Sequence, residues 1–527
     1  TLELRSRLKR EHRQTFLQNQ RGPGVALISL LIDENQADRA FEWLHRTTTA
    51  DLADYTKLID AQVSADANSE VQKAVDEWNR RYYEIQFLNN DLQENFSEDK
   101  SRQLNQKWAE LRTHEQDIIE NFPEVAELFE TQPTDIAKLR DSIPKDTVLL
   151  QPTLLTGVEN VENEIALFVV TRDSLDVVKL PIDPDAFDSL LSEYRQQLTN
   201  PNRLDYANNQ KQLYDWFIRP VEDKILAASP KSLAIIATGK LRYIPFETFR
   251  DRETNEYLID KYPVYYLTRI STRSLASQTD PFPWRAIGIG AMIIIAVYSR
   301  VGIAHPTKIR TIALVIAGLG TIALLVFPST NSRVLGLGNP VPNGKQNLPA
   351  TEEEVNNIAK MMRGSAAFLR QDATFDRFQT NAPNFSILHL ATHGCFQELG
   401  CENIGMEANT LLFADTQFHI RDAILLGLEN TDLIALSACQ TAMETYSDGR
   451  EISGMAYILE RAGANAVMAT LWSVADESSK DLAIAFYRHA KQRNNKAAAL
   501  RQAKLELKEQ DAHPYFWSPL VLIGEGK

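Results

Sequence analysis

From residue 332 onward, short and almost wholly apolar runs alternate with stretches that are apolar on one side only. "RVLGLG" (333–338), "FSILHL" (385–390), "DLIALS" (432–437), "NAVMATL" (465–471) and "PLVLIG" (519–524) are the runs. Each is as long as a strand and too short for a free-standing helix. Between them, Val355, Ile358, Ala359 and Met362 line one helical face, with Thr351 and Glu354 spaced as a capping box. A second helix over 453–462 carries Met455, Ile458, Leu459 and Ala462 on one side and stops at Gly463, and two more are expected at 476–491 and 496–510. Buried strands separated by amphipathic helices predict an α/β domain with a largely parallel sheet.

The same grammar appears earlier in the chain. "TVLLQPTLL" (147–155) and "ALFVVTRDSLDVVKL" (166–180) read as strands, the second a hairpin turning at Arg172 to Ser174. Helical patterns at 184–199 and 207–228 lead to "SLAIIAT" (232–238) and "YPVYYL" (262–267). One sheet is therefore expected to draw strands from two stretches, 141–284 and 331–527.

Between those stretches lies 285–330. It contains "AIGIGAMIIIAVY" (286–298) and "TIALVIAGLGTIALLVFP" (311–328), apolar all round and tolerant of glycine as membrane helices are. A single crossing would strand the halves of one sheet on opposite sides of a bilayer, whereas two crossings return the chain to the same side. A transmembrane hairpin over 286–300 and 311–328 is thus expected, giving a multi-pass membrane protein with the sheet domain cytoplasmic. Arg300, Lys308 and Arg310 in the intervening loop run against the usual charge bias.

Residues 1–140 have a different period. Val71, Val75, Trp78, Tyr82, Ile85 and Leu92, then Leu104, Trp108, Leu111 and Ile118, recur at three and four and predict a helical hairpin turning near "NFSEDKS". No 34-residue repeat is evident. "GVALISLLI" (24–32) follows basic residues as a signal sequence would, but no small-residue cleavage pattern follows it, so it is not read as one. A chain starting at Thr1 without methionine is expected to be a fragment or a processed form.

A net charge of −14 argues against a dedicated nucleic-acid surface, and no nucleic-acid partner is expected. Three cysteines, Cys395, Cys401 and Cys439, are too few for a disulfide framework and lack CxxC spacing, which points to a reducing compartment, where a free, functional thiol is chemically allowed.

His393 and Gly394 lie just past the strand "FSILHL", and Cys439 lies just past "DLIALS". Sites in α/β sheets collect beyond the carboxyl ends of strands, so these residues can meet there. A thiolate is the competent nucleophile; an imidazole beside it takes its proton and returns one to the leaving amine. The backbone N–H groups of Gly394 and Cys439 are the expected oxyanion donors. The separation of 46 residues (439 − 393) is near the roughly 50 of caspases, and Ala438, Cys439 and Gln440 fit part of their signature. This chemistry needs no cofactor, and none is expected.

Together, "LHLATHG", "LIALSACQTA", "ISGMAYILERAGANAVMATLWSVAD" and "HPYFWSPLVLIG" resemble the CHAT domain, a caspase-like domain often found behind tetratricopeptide repeats in bacteria. "TGKLRYIPFETF" (238–249), "GLGNP" (336–340) and "LPATEEEV" (348–355) match earlier blocks of the same family. The resemblance covers about 145–527 outside the apolar interruption. It implies a caspase-like, clan CD cysteine peptidase fold, with His393 and Cys439 on the catalytic positions. It also implies a protein substrate and a regulatory protein partner received by the N-terminal helices. A catalytically silent scaffold of the same fold is the alternative.

His389, on the strand itself, is expected to point into the core or at a neighbouring helix. The rival reading is zinc bound by His389, His393, Cys395 and Cys401, although these four have no recognised ligand spacing. For a substrate pocket the carboxylates Asp476, Glu477, Asp448 and Glu451 and the wall of Trp472 are the candidates, and a carboxylate there would favour Lys or Arg at the cleaved position. Helix capping is the competing role for Asp476, and plain packing the competing role for Trp472.

Overall fold

Each run read above as a strand is one in the computed structural model of the chain, which describes residues 10–56, single helical positions between 70 and 88, 97–122, 136–271, 332–340, 347–396, 400–428, 430–437, 450–472, 476–492 and 495–527. The first stretch supplies β1 (Thr147–Leu155), β2 (Glu164–Val170), β3 (Leu175–Pro181), β4 (Ser232–Ile235) and β5 (Val264–Tyr266). The second supplies β6 (Val334–Gly338), β7 (Ala366–Leu369), β8 (Ile387–Ala391), β9 (Gly394–Cys395), β10 (Thr410–Leu412), β11 (Gln417–His419), β12 (Leu433–Leu436), β13 (Ala466–Thr470) and β14 (Leu520–Gly524).

Eleven of these strands form one sheet in the order β3-β2-β1-β4-β5-β14-β13-β12-β8-β6-β7. It is less uniformly parallel than the sequence suggests. β1, β4, β5 and β14 run parallel, and so do β13, β12, β8, β6 and β7, but β14 meets β13 antiparallel, Met468 opposite Leu522. The last strand is therefore a seam between two parallel blocks of opposite direction. β7 and the separate sheet β11-β10-β9 carry too little apolar pattern to have been foreseen.

The helices that cover the sheet follow the period-2 alternation of its strands. On one face Leu388, Leu390, Ile434 and Leu436 pack with Ile452, Met455, Ile458 and Leu459, which fall on the helix Arg450–Arg461. On the other, Ile387, Ala435 and Met468 pack with Ile358, from Pro349–Met361, and with Leu482 and Phe486, from Asp476–Ala490. Thr351 does not begin a capping box. The helix starts two residues earlier at Pro349, Thr351 Oγ1 donates to the Leu348 carbonyl at 2.7 Å, and Glu354 turns inward, 1% exposed. A proline at the first helical turn costs nothing, because its missing N–H has no partner there in any case.

We number the helices used below in chain order: α1 (Arg10–Asp33), α2 (Ala37–Thr56), α3 (Glu98–Asn121), α4 (Pro349–Met361), α5 (Arg450–Arg461) and α6 (Asp476–Ala490). The run 24–32 is part of α1, where Val25, Ile28 and Leu31 join the same buried cluster as Phe41 and Leu44 of α2 and Phe168 of β2. Phe41 and Phe168 pack with tilted rings, centroids 5.4 Å apart, and burying one such ring stabilises the fold by about 1.5–3 kcal/mol. Of the expected helical hairpin, α3 and single helical positions between 70 and 88 are described. Ile85, Leu104 and Leu111 pack with Trp78, and Lys107 of α3 reaches Glu84 at 2.7 Å. Val71, Val75, Tyr82 and Leu92 lie outside the described residues.

The chain divides into two compact units, residues 1–275 with 333–527, and 276–332. Of the second unit only Ser332 is described, so the expected membrane hairpin lies outside the described residues. Among the described residues no helix is long and apolar enough to cross a membrane.

Candidate active site

β8 and β12 are parallel neighbours, and each ends at the same edge of the sheet. Leu390, three residues before His393, pairs with Leu436, three residues before Cys439. Both chains thus leave the sheet in step. Cys439 itself, with 438–449 around it, lies outside the described residues; Ser437 is the last described residue before it, and its N–H donates to the Leu390 carbonyl at 3.0 Å.

His393 is buried, and its main chain is held by the small sheet: the Leu412 N–H donates to the His393 carbonyl at 2.9 Å. Thr392 Oγ1 donates to the Leu412 carbonyl at 2.7 Å. Leu411 sits opposite Gly394 and Thr410 opposite Cys395. Antiparallel partners alternate between bonded and non-bonded pairs, so the bond at His393 makes Gly394 and Leu411 a non-bonded pair. The Gly394 N–H therefore points away from β10.

His389 is fully buried on the face of the sheet that α4 and α6 cover. Its Nε2 lies 2.9 Å from Glu354 Oε1 on α4, and its Nδ1 lies 3.1 Å from the Tyr487 hydroxyl on α6. Ser437 Oγ donates to the second oxygen of Glu354 at 3.3 Å. Burial, reinforced by the Glu354 charge, raises Tyr487 well above the usual phenol range, so its hydroxyl keeps its proton and is available to donate. His389, Ser437 and Ser479 also line a small cavity between β12, β13 and α6.

Two cysteine readings are corrected by the fold. Cys395 and Cys401 form a disulfide with Cα atoms 5.8 Å apart. The main chain brings them together: Cys401 and Met406 exchange two backbone bonds, of 2.8 and 3.1 Å, which fold the loop back on itself, and both sulfurs are buried with Met406 and Leu412. The zinc set is not assembled. Its two sulfurs are joined to each other, and both nitrogens of His389 already have partners. Among the described residues no group of three or more metal-ligating side chains converges.

Three of the candidate pocket residues have partners elsewhere in the fold. Trp472 is 2% exposed and its Nε1 donates to the Tyr515 carbonyl at 3.3 Å, so it packs in the core. Glu451, at the start of α5, accepts from the Tyr243 hydroxyl at 3.1 Å. Glu477 pairs with Lys480, which also reaches Glu353. Asp476 begins α6, and Asp448 lies outside the described residues. Sequence reading passed over Glu354 and Tyr487 as polar partners. The signal for Glu354 was its place next to Val355 on the buried face of α4.

The fold is an α/β one, a large and mostly parallel sheet flanked by helices. The sequence profile of the CHAT domain matches residues 208–525, more than half of the chain, and the chain belongs to that family. Human tetratricopeptide repeat protein 28 is 22% identical over 357 residues, 59% of this chain; the chain spans 13% of that relative's length. Among solved structures, the Arg-specific cysteine proteinase gingipain R of Porphyromonas gingivalis aligns with a TM-score of 0.33 and 10% identity, over 65% of this chain and 74% of its own. The separase–securin complex of Saccharomyces cerevisiae aligns at 0.39 and 9%, over 94% of this chain and 38% of its own. Such scores carry no residue-by-residue correspondence.

Proposed function

We propose that this CHAT-domain chain is a cysteine endopeptidase in which Cys439 is the nucleophile and His393 the acid and base. The observation that carries the reading is the shared register of β8 and β12, which releases both residues from one sheet edge in step. His393 takes the thiol proton, and the thiolate attacks the scissile carbonyl carbon. The oxyanion is received by the N–H groups of Gly394 and Cys439, and the imidazolium protonates the departing amine. A water, deprotonated by His393, then cleaves the thioester and releases the acid product.

The test uses a peptide carrying a thiol-reactive acyloxymethyl ketone. Cys439 is expected to be labelled, and His393→Ala to slow labelling by about a hundredfold, the size of a general acid–base contribution. Absence of labelling, or equal rates in wild type and His393→Ala, would favour the non-catalytic scaffold.

The apolar runs at 286–300 and 311–328 support a membrane tether, and the N-terminal helices support docking of a regulatory protein. The tether predicts that high salt without detergent leaves the intact chain in the membrane pellet. Release into the supernatant would contradict it.

A further inference from the structure

The His389 network lies directly beneath the two strands that carry the candidate dyad. Tyr487 donates to Nδ1 of His389, which leaves Nε2–H of the ring to donate to Glu354; this tautomer follows from the partners. Glu354 accepts from Ser437 with its other oxygen. The polar chain therefore runs from α6, through β8 and α4, to the residue that follows β12. All of its members are buried, Ser437 and Glu354 at 8% and 1% exposure and His389 at 0%.

A core of this kind could be made of apolar side chains at less risk, since a buried polar group left without a partner costs about 1–3 kcal/mol. Its placement gives it a use. Ser437 is tied twice to the strand that leads to His393: by its N–H to Leu390, and by its hydroxyl through Glu354 to His389. These ties fix the point at which the chain leaves β12, two residues before Cys439.

We propose that His389, Glu354, Ser437 and Tyr487 are positioning residues that set the exit of the Cys439 loop against His393. The proposal rests on the peptidase reading above. None of the four touches substrate. Their contribution is to hold two reacting groups in one geometry, where a displacement of about 1 Å can cost a hundredfold in rate.

The experiment compares Ser437→Ala, Ser437→Thr, Glu354→Gln and Tyr487→Phe with wild type and His393→Ala. Two rates are read at Cys439: labelling by the peptidyl acyloxymethyl ketone, which needs the dyad aligned, and alkylation by iodoacetamide at high pH, which needs only an accessible thiolate. Ser437→Ala and Glu354→Gln are expected to slow the first roughly tenfold or more and to leave the second within about twofold. Ser437→Thr keeps the hydroxyl, its added methyl can enter the cavity that Ser437 lines, and it should restore the first rate. Tyr487→Phe, which removes a single oxygen, should fall between.

A loss of both rates together would mean general disruption of the loop and would overturn the positioning role. So would unchanged labelling in all four variants while His393→Ala is slow, and in that case the peptidase reading stands. If His393→Ala also labels at the wild-type rate, the peptidase reading falls and takes the positioning role with it.

Discussion

His45 shows how much a single buried side chain can set the response of this molecule to pH. It lies on α2 at 7% exposure, and burial, reinforced by the charges of Arg269 and Arg46, lowers its imidazole from 6.5 to about 4. Between those values the unfolded chain binds a proton that the folded chain refuses, so stability rises with pH across the window. The contribution is complete above about pH 6.5, and by pH 5 about 2 kcal/mol of it is lost. Urea midpoints at pH 7 and pH 5 should therefore differ more in wild type than in His45→Gln; equal differences would contradict the assignment. The candidate site was legible at this scale only in part. His393, Gly394 and Cys439 stand immediately after apolar runs, where the position alone suggests chemistry. Glu354 was misread because a Thr and a Glu three apart near a helix start resemble a capping box, and only the fold shows that the helix begins earlier and that this Glu is turned inward. Tyr487 carries no local signal, because its role depends on His389, a residue 98 positions away in sequence.

At the scale of elements, strands announced themselves when they were buried on both faces. β1, β2, β8, β12, β13 and β14 are near-continuous apolar runs, and each is buried along almost its whole length. β7 and β11 are only partly covered and escaped notice. Strand direction was legible less often. A helix between two strands implies a parallel crossover, and this holds for β6 to β7 and for β12 to β13. It misleads for β14, which follows two long helices yet pairs antiparallel with β13, because it lines up with β5 from the other block. The disulfide was missed for a related reason: the closeness of Cys395 and Cys401 depends on the return of the chain at Met406 and on the pairing of β9 with β10, neither of which leaves an apolar pattern.

For the whole molecule, the union of two distant stretches in one sheet was legible from the repetition of strand and helix on either side of residues 285–330. The seam at β14 explains how that union is built. The C-terminal strand lies between β5 and β13, so the two blocks are joined by hydrogen bonds through the last strand of the chain. β12 and β8 lie next to one another within the second block, and the proposed chemistry follows from their common exit. The most direct measurement is a comparison of new protein N-termini across the proteome of cells expressing wild type, Cys439→Ala or His393→Ala at equal levels, with the membrane fraction retained. The account predicts a set of termini present with wild type and missing from both variants. Identical sets of termini in all three would contradict it.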